Sequence, residues 1–484
     1  MLRGMGLHGA VKWLVGASLV LGACGDDSSG EDTEGADTES STGTVTTMTT
    51  MTPDDTTGSM DSTGQDSTGS DGSSGGSTDT GDTTSGSEST GDDTTTGGVV
   101  PADCTDPAEA EFAGSMRSMD ILFVVDNSGT MGPVQARLAA AMGSFAARLD
   151  NEGVDFRIAV TTSDTGNPWC AGTTPEAGRY VASSCRSRAA EFVSGVGVDV
   201  TDEACLEVCV HDDIALSPTT TANDPDAVVR PWIERIGDTT NLPDGVTPGE
   251  ALACLLPQGI AGCGFERTLE SMHRGILRAT VDAEDEYDFF RDGADSLIIV
   301  VTDEVDCSHD SQYETIFLPE GDRVFWSDPK AFSPTSAVCW NAGVECTGDS
   351  PYDECHVQNY DTLGNPGVAD GNAVLFAMSR FSDGFAALDA ANGSGSVRMA
   401  LIAGVPDDYP DGGELTYADS KDADFQNSFG IGAGCDDGEI VGLPPVRMRE
   451  LAESLASPGM PNVFSVCSEN YCDELERVVD DLVQ

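Results

Sequence analysis

A chain of 484 residues has room for two or three domains, and 84 acidic against 23 basic side chains give it a formal net charge of −61. That balance excludes a nucleic-acid duplex as a partner, because phosphate recognition needs a basic face; it suits divalent cations and basic protein surfaces. Fifteen cysteines and only five histidines point to an oxidising compartment and away from histidine-rich catalysis.

The first 23 residues read as a targeting segment. Arg3 and Lys12 flank its polar start, and residues 13–23 form an apolar stretch too short to span a bilayer permanently. It ends in "LGAC", Leu21 to Cys24, which resembles the bacterial lipoprotein signal. That resemblance implies cleavage before Cys24, lipid on its thiol, and membrane attachment in the cell envelope, on the periplasmic or outer-surface side. Residues 24–98 are dominated by Ser, Thr, Gly and Asp with no basic residue, and read as a disordered tether. A G-x-S-x-G match at Gly72 to Gly76 lies inside this tract, without a strand before it or a helix after it, and is taken as chance.

Residues 99–484 read as one folded region. The apolar runs 120–126 and 296–302 predict central parallel strands covered on both faces, as does 397–405; the alternating run 155–162 predicts a strand nearer the edge, and 462–467 a short last one. Val134, Leu138, Met142, Phe145 and Leu149 recur at helical spacing after Pro133. Phe265, Leu269, Met272, Ile276 and Val281 predict a second helix over 265–281, and Leu475, Val478, Val479 and Leu482 a third. Alternation of strand and helix predicts an α/β fold with a doubly wound, mainly parallel sheet. Two long cysteine-rich stretches, about 164–262 and 306–395, read as disulfide-pinned insertions. With Cys24 set aside, fourteen cysteines remain, mostly paired; Cys254 with Cys263 and Cys467 with Cys472 are the expected local bridges.

The strand "ILFVV" runs straight into Asp126, Ser128 and Thr130, and "LIIVV" into Thr302, Asp303 and Glu304. In open α/β sheets ligands gather outside the carboxyl ends of the strands. Hydroxyls of Ser128 and Thr130, with the carboxylates of Asp126 and Asp303, suit a hard divalent cation: magnesium or calcium, with manganese as a substitute. Thr247 and Glu304 are weaker candidates. The competing readings are helix capping by Asp126, Ser128 and Thr130, and plain solvated acids at Asp303, Glu304 and Asp306. Asp407, Asp408 and Asp411 read as a surface turn, since Ala418 stands where an EF-hand needs its last acid.

"DILFVVDNSGTM" resembles the first motif of the metal-ion-dependent adhesion site in von Willebrand factor type A (VWA) domains, and "LIIVVTDE" that family's later Thr-Asp motif. "RMALIAGV" and the closing "NVFSVCSENYCDELERVV" resemble its last strands and helix. The resemblance implies a Rossmann-like α/β domain in which Asp126, Ser128, Thr130 and Asp303 hold the cation and a partner protein adds an acidic residue to it. The family also places a threonine on a middle loop. Here that loop reads "LPQGIAGCGFERTLES", without one at the expected position; Thr247 fits the local pattern but lies upstream.

The histidines fall in no H-E-x-x-H motif. The expected function is therefore a non-enzymatic, envelope-anchored binding or adhesion module with an unidentified protein ligand. Two alternatives stand beside it: an extracytoplasmic hydrolase hosted by the insertions, and a structural envelope protein with a vestigial metal site.

Overall fold

The computed structural model describes residues 117–483; the expected signal segment, Cys24 and the tether lie outside them. In chain order the described elements begin with β1 (Ser118–Val125), α1 (Gly132–Asn151) and β2 (Asp155–Thr162). There follow β3 (Ile233–Ile236), β4 (Thr239–Thr240), α2 (Pro248–Leu255), α3 (Thr268–Arg278) and β5 (Asp295–Val301). Next come α4 (Ala337–Gly343), β6 (Val344–Thr347), β7 (Glu354–Val357), α5 (Met378–Ala391) and β8 (Val397–Ala403). The chain closes with α6 (Ala423–Phe429), β9 (Cys435–Asp436), β10 (Val441–Gly442), α7 (Val446–Ser454), β11 (Val463–Ser465) and α8 (Cys472–Val483).

One seven-stranded sheet, ordered β11-β8-β5-β1-β2-β3-β4, organises the fold. Its first five strands are parallel; β3 and β4 extend it antiparallel. Because successive strand residues face opposite sides, β1 feeds two cores. Ile121, Phe123 and Val125 pack with Leu138, Met142 and Phe145 of α1 and Leu475 and Val479 of α8. Leu122 and Val124 pack with Met272 of α3, Phe381 of α5 and Met448 of α7. Cover on both faces is why β1 and β5 read as unbroken apolar runs. The sheet is mixed rather than wholly parallel, and β2 is not near an edge: the first insertion supplies β3 as its outer neighbour.

The second helix is shorter than its stripe suggests. Leu269, Met272 and Ile276 are buried on α3, but Phe265 precedes the helix and Val281 lies beyond it, 44% exposed. Neither insertion is structureless. The second builds a third core around Phe317, Trp326, Val338 and Trp340, closed by Tyr417, Ile431 and Leu443 from the stretch after β8. Helix α5, which falls within 306–395, belongs to the layer covering the sheet.

Six disulfides pin the described chain: Cys170–Cys263, Cys185–Cys205, Cys209–Cys254, Cys307–Cys339, Cys346–Cys355 and Cys435–Cys467. Cys472 is disulfide-bonded as well. The expected local pairs Cys254–Cys263 and Cys467–Cys472 are both wrong. Cys254 sits on α2 facing Cys209, while Cys263 is drawn to Cys170 on the loop after β2. Among the described residues no helix is long and apolar enough to cross a membrane.

Candidate metal-binding site

The register assembles the site. Val125 pairs with Thr162 on one side and with Val301 on the other, so the residues just past three strand ends, Asp126, Ser163 and Thr302, lie side by side. Asp126 N donates to Val301 O (2.9 Å) and Ser163 N to Val125 O (3.2 Å), prolonging the ladder by one step. Asp126 is fully buried. Its carboxylate accepts from Thr302 Oγ1 (2.5 Å), from Ser128 N (2.8 Å) and, more weakly, from Ser163 Oγ (3.4 Å).

Asp303 follows Thr302, is 4% exposed, and lies close enough to the exposed Thr130 for that hydroxyl to pull its carboxyl downward. The structure thus brings Asp126, Ser128, Thr130 and Asp303 together. Helix capping does not explain them: the N-cap of α1 is Met131, and no side chain caps that end. Glu304 joins the cluster as a buried group rather than a solvated acid. Asp306 is also buried, but it is satisfied. Its carboxylate accepts from Leu269 N and Ser308 Oγ and pairs with Arg447 Nε at 2.9 Å.

Thr247 does not belong to the site. Its hydroxyl accepts from Glu250 N (3.2 Å) as the N-cap of α2, and the Glu250 carboxylate answers Thr247 N in a capping box. The adjoining Gly249 packs against Gly143 of α1, roughly 16 Å down that helix from its first turn.

One member was not anticipated. Glu266, in the middle loop, is 1% exposed. Its main-chain oxygen accepts from Cys307 N (2.7 Å), and the next residue's N–H donates to Ser163 O (3.2 Å). The loop is also tied to the first motif. Gly262 N donates to Asn127 O, and the buried Gln135 amide bridges Asp126 O and Gly259 O while accepting from Gln258 N and Gly259 N. Glu266 was hard to pick from sequence; the one signal was an acid in an otherwise nearly uncharged loop.

The electrostatics are those of anions out of water. Burial pushes Asp303 up to about 7, with the Asp126 charge adding to it and the Thr130 hydroxyl opposing. Burial raises Glu304 and Glu266 well above the usual carboxylate range, and each feels the charges of Asp303 and Asp126. Asp126 is raised by burial, against the hydrogen bonds of Thr302 and Ser128. Four buried polar atoms here have no hydrogen-bond partner: Ser128 Oγ, Asp303 Oδ1, Glu304 Oε2 and Glu266 Oε1. Buried anions of this kind are tolerated when a cation answers them. Hydroxyl and carboxylate oxygens fit a hard divalent ion. Among the described residues no three Asp, Glu, His or Cys side chains are gathered as a ready chelate, so the fit depends on hydroxyls and on an ion drawing the acids inward.

No family model matches the chain, and no curated protein matches it. Among solved structures it is similar to the pilus adhesin SpaC from Lactobacillus rhamnosus GG in two crystal structures, one an open conformation. Both give 12% identity and a TM-score of 0.30, over 78% of this chain. The matched part spans 31% and 30% of the length of those chains.

Proposed function

We propose that this chain is a non-enzymatic, VWA-like adhesion module of the cell envelope, held to a membrane by lipid on Cys24. It engages a protein partner through a divalent cation bound by Asp126, Ser128, Thr130 and Asp303. The observation that carries the reading is the group of buried acids at the strand ends. They have unpartnered oxygens beside an unpartnered Ser128 hydroxyl, and among the described residues no Lys, Arg or His pairs with any of them.

When bound, the ion supplies a hard electrophilic centre for an acidic residue of the partner. The chain's own groups do the rest. Asp126 fixes the turn through Ser128 N, Thr302 aligns Asp126, and the exposed Gly129 and Thr130 leave the rim open to approach.

The test is thermal unfolding with magnesium, calcium or manganese titrated into the millimolar range. A cation at one hundred times its dissociation constant stabilises the fold by about 2.7 kcal/mol. Asp126→Ala and Asp303→Ala should fold and lose that increment. No increment in the unaltered chain with any of the three ions would end the reading.

A further inference from the structure

We infer that Glu266 is a carboxylate ligand of the same cation, and that it tilts the site toward calcium over magnesium; the inference rests on the metal reading above. Glu266 sits on the loop where a VWA-like site places its threonine. The main chain there is clamped between Ser163, just past β2, and Cys307, on the loop after β5, by the bonds to Ser163 O and from Cys307 N. Its side chain is 1% exposed, and Oε1 has no hydrogen-bond partner. The charges it feels are, in order, those of Asp126, Glu304 and Asp303.

A buried glutamate kept for structure alone is ordinarily met by a basic group. The nearest candidate, Arg267, turns elsewhere: its guanidinium donates to the carbonyls of His309 and Gly166. Glu266 is thus buried, without a hydrogen-bond partner at Oε1 and under the charges of three acids, an arrangement that makes sense around a cation.

The oxygen inventory decides which cation. Magnesium demands near-ideal octahedral geometry, keeps several waters, and is usually held by one or two carboxylates. Calcium accepts six to eight oxygens in a flexible shell, with carboxylates binding through one oxygen or two. No three of these acids are gathered among the described residues, so an ion would have to draw Asp126, Asp303 and Glu266 inward; with Ser128 Oγ they would then make a carboxylate-rich shell suited to the larger ion. A glutamate in place of a threonine replaces a neutral oxygen with an anionic, longer-reaching one, whose three side-chain torsions let it follow the ion.

The experiment is isothermal titration of the full chain with calcium and, separately, magnesium, for the unaltered protein, Glu266→Gln, Glu266→Thr and Asp126→Ala. Thermal melts in chelator accompany each. The unaltered chain should bind calcium more tightly than magnesium. Glu266→Gln should lose about 10- to 100-fold in calcium affinity, at least the loss expected for an outer-shell partner of a metal, and Glu266→Thr should narrow or reverse the preference. Both variants should melt in chelator no lower than the unaltered chain, since each removes a buried carboxyl whose Oε1 has no hydrogen-bond partner.

Calcium affinity unchanged in Glu266→Gln, with binding abolished in Asp126→Ala, would overturn the role of Glu266 and leave the metal site standing. A lowered melting point in chelator with unchanged affinity would mark Glu266 as structural, and overturn it too. No heat from either ion in the unaltered chain would remove the metal reading itself, and this inference with it.

Discussion

Strand β1 carries a buried acid near each end, and the two are treated in opposite ways. Asp120, at the amino end, is gripped by Arg291. The main-chain N–H donates at 2.6 Å and Nε at 2.8 Å, with the guanidinium also 2.7 Å from Oδ1. Burial raises its carboxyl and Arg291 pulls it back down. Asp126, beyond the carboxyl end, has only hydroxyls and an amide, with three further acids for company. The contrast repeats within five residues after β5: Asp306 is paired with Arg447, while Asp303 and Glu304 are not. Asp120, Glu234, Glu270 and Asp306 are each met by an arginine, and the buried Asp164 and Glu286 by main-chain N–H groups. Among the described residues no arginine pairs with the buried Asp126, Glu266, Asp303 or Glu304.

The largest expected effect tests that division directly. Arg447→Met leaves Asp306 buried and unpaired, a lesion of about 3–5 kcal/mol. Asp126→Asn removes a charge from a crowd of like charges while keeping the hydrogen-bonding shape, and in chelator should cost less than about 1 kcal/mol or stabilise. Denaturant unfolding of the two variants side by side settles the matter. If Asp126→Asn loses as much as Arg447→Met, the strand-end cluster is a structural network and the contrast collapses.

A third way of burying a titratable group is to keep it neutral, and His309 takes it. It is fully buried, Nδ1 lies 3.1 Å from Cys307 O, and Nε2 has no partner. Burial lowers it to about 3, with the Arg267 charge adding to the effect. The folded state therefore resists a proton that the unfolded chain accepts near pH 6.5. Between about pH 6.5 and pH 3 the unfolded state binds more protons, so stability falls as pH falls through that window. At pH 5 this amounts to about 2 kcal/mol at about 1.4 kcal/mol per pH unit. His309→Gln should flatten the decline between pH 6.5 and 4, read as the difference between the two unfolding profiles. Parallel profiles would mean His309 is protonated in the fold.

What could be read from the sequence follows from which interactions are local. The apolar runs of β1 and β5 and the stripe of α1 were legible because burial on both faces, or on one helical face, leaves a periodic trace. The strand-end cluster at Asp126, Ser128 and Thr130 was legible because three side-chain oxygens sit within five residues. Glu266 was not, because its burial depends on bonds to Ser163 and Cys307, far away in the chain. Nor was the difference between Glu304 and Asp306. Two acids two residues apart look equivalent until Arg447, 141 positions on, is seen to reach only one of them. Cysteine pairing failed for the same reason: Cys263 bonds Cys170 across 93 residues, past the nearer Cys254. The β3–β4 edge went unseen because two short strands inside a Pro- and Gly-rich stretch leave almost no periodicity.

The smallest effect sharpens the boundary of the site. Thr247 lies in a local pattern that fits the VWA middle-loop motif, yet it is exposed and spends its hydroxyl on the first turn of α2. A cap of this kind is worth about 1 kcal/mol, because it satisfies an N–H that the helix leaves without an internal partner. Glu250 reinforces it, and its carboxyl is held below the ordinary range by the Thr247 N–H and hydroxyl. Thr247→Ala should therefore lower stability by about 1 kcal/mol at neutral pH, and by the same amount with or without saturating calcium. The two curves, with and without cation, should shift in parallel. Were Thr247 a ligand, the loss would grow with the ion present, and the gain from calcium seen in the unaltered chain would shrink. A cation-dependent loss at Thr247, together with an indifferent Glu266→Gln, would move the third corner of the site from the loop after α2 to the cap before it.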